Sequence, residues 1–219
     1  LMVGMATSTE TVVGQAPWDV RYQYITAGVP DGNGTCSSCA SGCTSAGASC
    51  AGGACGWWGC WQSDQDPPGA YLRAFIANAK AKNIIPMITY YEQLYSSGAA
   101  EGQPQIMKMK ETAIMTRFFG DYRFMLQQIG QNKALLHLEP DTWAYAQIAN
   151  SNPHLVEVAV ASANATDCAS MENSFAGFGK CTIAMARKYA PNAKIGFHAS
   201  GWATSMDIGG NTNPNLDVV

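Results

Sequence analysis

Lys133-Ala134-Leu135-Leu136-His137-Leu138-Glu139-Pro140-Asp141-Thr142-Trp143 decides the fold. It begins as a short apolar run, the pattern of a parallel strand buried on both faces. Pro140 has no N–H to donate, so strand pairing stops there. Two carboxylates, Glu139 and Asp141, therefore stand where a buried strand meets its loop, with Trp143 beside them. In α/β barrels that end of the strand is the catalytic rim. Paired acids next to aromatic rings suit acid-assisted cleavage of a sugar polymer.

Outward from this stretch, strand-like and helix-like segments alternate. Strands are expected at 1–6, 20–27, 84–91, 134–139, 156–162 and 193–199. Helices are expected at 69–82, 104–129 and 174–190. Leu72, Phe75, Ile76 and Ala79 recur at i, i+3, i+4 and i+7 behind Pro67-Pro68. Ile114, Met115, Phe118, Phe119, Tyr122, Met125, Leu126 and Ile129 repeat the pattern, and the Met-rich stripe reads as core packing. The third helix ends before Pro191. Alternation of this kind implies a parallel sheet with helices outside. No Gly-rich phosphate loop opens any of the helices, which disfavours a doubly wound nucleotide-binding sheet. The expected architecture is an α/β, TIM-like distorted barrel in one domain over 1–219. Complete barrels run to ~250 residues, and the chain closes on Leu216-Asp217-Val218-Val219 like an element cut short, so the barrel is expected to be C-terminally incomplete.

Composition narrows the function. The 219 residues are 47% hydrophobic and 13% charged, which excludes a disordered chain. A net charge of −3 argues against nucleic-acid binding, which needs clustered Lys and Arg. No apolar run approaches the ~20 residues of a membrane span. Six of the eight cysteines, Cys36, Cys39, Cys43, Cys50, Cys55 and Cys60, crowd a Gly/Ser/Ala-rich insertion at 31–65. With Cys168 and Cys181 they read as disulfides of a secreted protein, their connectivity open. Cys36-x-x-Cys39 is the one spacing that favours a metal instead. Asn33-Gly34-Thr35 and Asn164-Ala165-Thr166 fit the glycosylation pattern.

Strand ends collect the chemistry. The second strand follows Trp18-Asp19 and carries Arg21 and Tyr24; the third ends in Tyr90-Tyr91-Glu92; another leads into His198-Ala199-Ser200-Gly201-Trp202. If these ends converge, Glu92, Glu139, Asp141 and His198 share a cleft. Trp18, Trp57, Trp58, Trp143 and Trp202 offer flat faces for sugar rings. Against these readings stand simpler ones: Asp141 as a helix cap, Glu139 as an ion-pair partner of Arg21, and His137 and His154 as structural and surface residues. The histidines show no paired ligand spacing, so neither metal nor cofactor is expected.

Leu138-Glu139-Pro140-Asp141-Thr142 resembles the Glu-Pro-Asp-Ser-Leu motif of family-6 glycoside hydrolases, the cellobiohydrolases and endoglucanases of distorted barrel fold. The resemblance implies Asp141 as proton donor in an inverting hydrolysis of β-linked glucan. Glu92 then stands in for the acid-rich turn that follows a strand-end tyrosine in that family, and His198 to Trp202 for its His-Ala-Gly-Trp. His137-Leu138-Glu139-Pro140 also looks like the strand-four end of retaining (β/α)8 glycosidases, which would make Glu139 the acid/base. A catalytically inactive, carbohydrate-binding barrel is the third reading. All three expect a monomer whose partner is a polysaccharide or oligosaccharide.

Overall fold

A computed structural model describes residues 4–6, 16–26, 69–198 and 200. The Cys-rich insertion, Trp57, Trp58 and Trp202 lie outside the described residues.

Five strands form one parallel sheet in chain order: β1 (Gly4–Ala6), β2 (Val20–Thr26), β3 (Ile85–Tyr91), β4 (Leu135–Leu138) and β5 (Lys194–Phe197). The α/β expectation holds. Among the described residues β1 and β5 are the two edges, and the sheet does not close on itself.

Strand residues alternate between two environments, as period 2 requires. Ile25, Tyr90, Leu138 and Phe197 are paired across one row. This row faces the helices. Tyr90 packs edge-on against Phe118, and its ring also meets Tyr122, both from α4 (Thr112–Ile129). Arg21 lies over the Phe75 ring of α1 (Ala70–Ala81), 5.0 Å from its centroid. The neighbouring row, Tyr24, Thr89, His137 and Gly196, faces the other way. Tyr24 is 41% exposed there, whereas Ile25 beside it is fully buried.

The helices bury the stripes their spacing marks out. In α1 these are Leu72, Phe75, Ile76 and Ala79; in α4 they run from Ile114 to Ile129. Gly69 opens α1 at φ 81, a left-handed conformation that favours glycine, and a Cβ there would have to displace the Gln128 side chain 2.7 Å away. Ser174 caps α7 (Phe175–Tyr189) by accepting the Gly177 amide at 3.1 Å. The Cys168–Cys181 disulfide ties α6 (Ala165–Cys168) to α7 with Cα atoms 5.5 Å apart.

Three expectations fail on local grounds. The helix expected over 104–129 is two, α3 (Gln103–Lys108) and α4, because the Met109 carbonyl leaves the helical ladder to accept the Ala159 amide at 2.9 Å. The apolar run 156–162 is not a strand of the sheet. Val158 and Val160 are buried, but the Val160 amide bonds the Asn173 side chain, the Ala159 amide bonds the Met109 carbonyl, and the one strand-like pairing is an isolated bridge from Glu157 to Ser174. Burial there is met by loop packing, which periodicity cannot tell from a strand. Asn164 is 3% exposed, and its Nδ2, the atom a glycan would be joined to, faces the sulfurs of Cys168, Cys181 and Met185, so the folded chain offers no glycan acceptor there.

Candidate active site

β4 ends at Leu138, and the next residue turns sharply. Glu139 adopts φ 47, a left-handed conformation that costs a non-glycine residue roughly 1 kcal/mol or more. The surroundings hold it there. Its amide donates to the Tyr90 carbonyl at 2.8 Å, continuing the β3–β4 pairing. Its Oε1 accepts the amides of Glu92 (2.9 Å) and Gln93 (3.0 Å), and its Oε2 accepts the Thr142 hydroxyl at 3.2 Å. Gln105 in turn donates to the Thr142 hydroxyl at 3.0 Å. Glu139 therefore staples the turn after β3 to the turn after β4. Burial pushes its carboxyl up to about 8, against the opposing pull of the Glu92, Gln93 and Thr142 hydrogen bonds.

Asp141 stands two residues on, as the N-cap of α5 (Thr142–Ala149). Its carbonyl accepts the Tyr145 amide, but its side chain makes no capping hydrogen bond. The half-buried carboxylate is left for its surroundings: its charge acts on Tyr24, Tyr91, Tyr145 and His137. Tyr24 and His137 belong to the row that faces away from the helices. The charge of Asp141 is therefore felt on the sheet face that points away from the helices.

His137 links the floor of this face. Its Nδ1 lies 3.3 Å from the Thr89 hydroxyl and its Nε2 lies 3.0 Å from His198 Nδ1. A bond between two imidazoles needs one nitrogen with a proton and one without. Burial lowers the His137 pKa, His198 lowers it further, and Asp141 opposes both.

Several expected site residues fall elsewhere. Glu92 and Glu139 are fully buried and do not line an open cleft with Asp141. Tyr90 is fully buried, its hydroxyl given to Asp121 at 2.6 Å. Trp143 packs on the helix side: its ring stacks on Phe197 at 4.0 Å, and its Nε1 donates to the Leu138 carbonyl at 2.7 Å. It supports the strand end from behind. Trp18, Asp19 and Arg21 sit at the start of β2, and parallel strands put that end roughly 20 Å from Asp141. Arg21 is buried over Phe75, away from Glu139. Tyr91 ends β3, Asp141 and His198 follow the ends of β4 and β5, and Tyr24 lies within β2.

Sequence reasoning missed Tyr145 and Glu101. Tyr145 lies four residues after Asp141, one helical turn along α5, a spacing that marked it once the helix was known. Glu101 is in the loop between α2 (Gln93–Ser97) and α3, ten residues past the end of β3, where no periodicity points to it. The Tyr91 hydroxyl donates to its Oε1 at 3.1 Å, and the Tyr145 hydroxyl bonds it as well.

No family model, curated protein or solved structure matches this chain.

Proposed function

We propose that this chain is a glycoside hydrolase that cleaves β-linked glucan or a related polysaccharide, with Asp141 giving a proton to the leaving glycosidic oxygen. One observation carries the reading: a strand-end carboxylate that does not cap its own helix, with Tyr24, Tyr91 and Tyr145 within reach of its charge, beside the sheet face that points away from the helices. Tyrosine rings offer an apolar face to the C–H side of a pyranose and a hydroxyl to its rim. The exposed ring of Tyr24 supports this reading.

The distorted barrel belongs to the same proposal. Strands that pair strictly in chain order support it, since a doubly wound sheet reverses order at its switch point. Secretion is supported by the Cys168–Cys181 disulfide. Among the described residues no helix is long and apolar enough to cross a membrane. The retaining alternative finds little support, because the Glu139 carboxylate is turned to backbone amides. Inversion is the stereochemistry we favour. The test is reducing-sugar release from soluble β-glucans, with the first-formed anomer followed by NMR. An initial α-anomer supports the reading. An initial β-anomer contradicts inversion, and no release contradicts the hydrolase itself.

A further inference from the structure

We propose that Glu101 is the catalytic base of this site, taking a proton from the water that attacks the anomeric carbon. The role rests on the glycoside hydrolase reading above. In the inverting step the water oxygen bonds to the anomeric carbon as the bond to the leaving oxygen breaks. The water's proton passes to the Glu101 carboxylate, and the Asp141 proton passes to the leaving oxygen, so charge and atoms balance.

Access is the first argument. Five carboxylates act on the tyrosines at the end of β3: Asp121, Glu92, Glu139, Glu101 and Asp141. Asp121, Glu92 and Glu139 are buried. Asp121 already accepts Tyr90, and Glu139 accepts two amides and a hydroxyl. A base must meet water, and Glu101 is the exposed member of the set.

Placement is the second. Tyr91 ends β3, and Tyr145 lies one turn after Asp141 on α5; both hydroxyls bond Glu101. Asp141 acts on the same two hydroxyls. The turn after Glu101 lies against α5, the helix that Asp141 precedes: Gln103 donates to the Tyr145 carbonyl, and a Cβ on Gly102 would stand 3.7 Å from the Tyr145 ring. The loop that carries Glu101 is pinned. Gly98 and Gly102 take φ 63 and 100 on either side, Ser97 accepts the Ala99 amide at 3.1 Å, and Gln103 donates to the Tyr145 carbonyl at 2.8 Å. A cavity of about 530 Å³ lined by Tyr95, Ser97, Glu101 and Arg117 opens beside it. Such a loop holds a carboxylate in one direction, as a base requires.

The test compares the parent protein with Glu101→Ala, Glu101→Gln and Asp141→Asn on a soluble β-glucan, with and without sodium azide. Azide needs no base, so it attacks where water can no longer be activated. We expect Glu101→Ala to lose about 10²–10⁴-fold in kcat, with azide restoring turnover and yielding a glycosyl azide of inverted configuration. Glu101→Ala activity within about fivefold of the parent, while Asp141→Asn is inactive, would overturn the role of Glu101 alone. Loss in Glu101→Ala that azide does not restore, with Glu101→Gln still active, would reduce Glu101 to scaffolding. Full activity in Asp141→Asn would overturn Asp141 as the acid, and no glucan hydrolysis by the parent would overturn the hydrolase reading itself.

Discussion

Replacing Glu139 by Gln should stabilise the protein increasingly as pH rises above about 4.5 and do nothing well below that pH. The carboxyl ordinarily titrates at 4.5, and burial lifts it to about 8 in the fold. The folded chain then holds a proton that the unfolded chain has released. The stability associated with that proton is complete below pH 4.5 and is lost as pH rises through 8. Each unit is worth about 1.36 kcal/mol, so the 3.5-unit window amounts to at most about 5 kcal/mol, of which about 3 are gone by pH 7. Gln mimics the protonated form. Its carbonyl keeps the Glu92 and Gln93 amides, and its NH2 faces the Thr142 hydroxyl. That hydroxyl must redirect its own proton in either case, a change of about 1 kcal/mol that cancels in the comparison. Urea unfolding of parent and variant at pH 5, 6, 7 and 8 and constant ionic strength reads the difference directly, because other titrating groups contribute equally to both. The expected gap is already about 0.7 kcal/mol at pH 5 and widens in favour of the variant by about 1 kcal/mol or more per pH unit up to pH 8. Parallel stability profiles, or a variant less stable at pH 8, would refute the buried-neutral account of Glu139.

Other consequences follow from the packing. Burial alone would raise the Asp167 carboxyl, but hydrogen bonds from Lys188, Tyr189 and Arg123 hold it at about 2. Asp167→Asn should cost about 1–2 kcal/mol at pH 7 after solvent screening. The penalty should shrink as pH falls from 3.8 toward 2, measured by urea unfolding across that range. Phe118 is fully buried among Tyr90, Phe119, Tyr122 and Phe178, so Phe118→Ala should lower stability by about 3–5 kcal/mol, read as a lower urea midpoint at unchanged m-value. Replacing Cys168 and Cys181 together by Ser opens a loop of 13 residues and should cost about 3 kcal/mol, seen as a lower thermal midpoint.

The long periodic elements were legible in the sequence because their apolar spacing had one consistent solution. The stripe from Ile114 to Ile129 is buried as its spacing requires, and α7 begins and ends where Ser174 and Pro191 mark it. Short elements were not. The five residues of α2 and the eight of α5 are too brief for periodicity to separate from loop. The site divides in the same way. Asp141 was legible because a proline ended its strand. The depth of Glu139 was not, since its burial depends on amides from Glu92 and Gln93, some 46 residues away in the chain. Trp143 was misread because composition cannot say which side of the sheet a ring faces. Glu101 escaped because its relevance is created by two tyrosines on different elements, Tyr91 on β3 and Tyr145 on α5.

The central claim is that Asp141 performs chemistry. Its side chain makes no capping bond, so Asp141→Asn should leave the thermal unfolding midpoint unchanged. The measurement is the rate of soluble β-glucan hydrolysis by this variant and the parent, with both midpoints recorded. A loss of about 10²–10⁴-fold, in the range of general acid catalysis, at an unchanged midpoint is the expected result. Hydrolysis within a few-fold of the parent rate by the folded variant would contradict it.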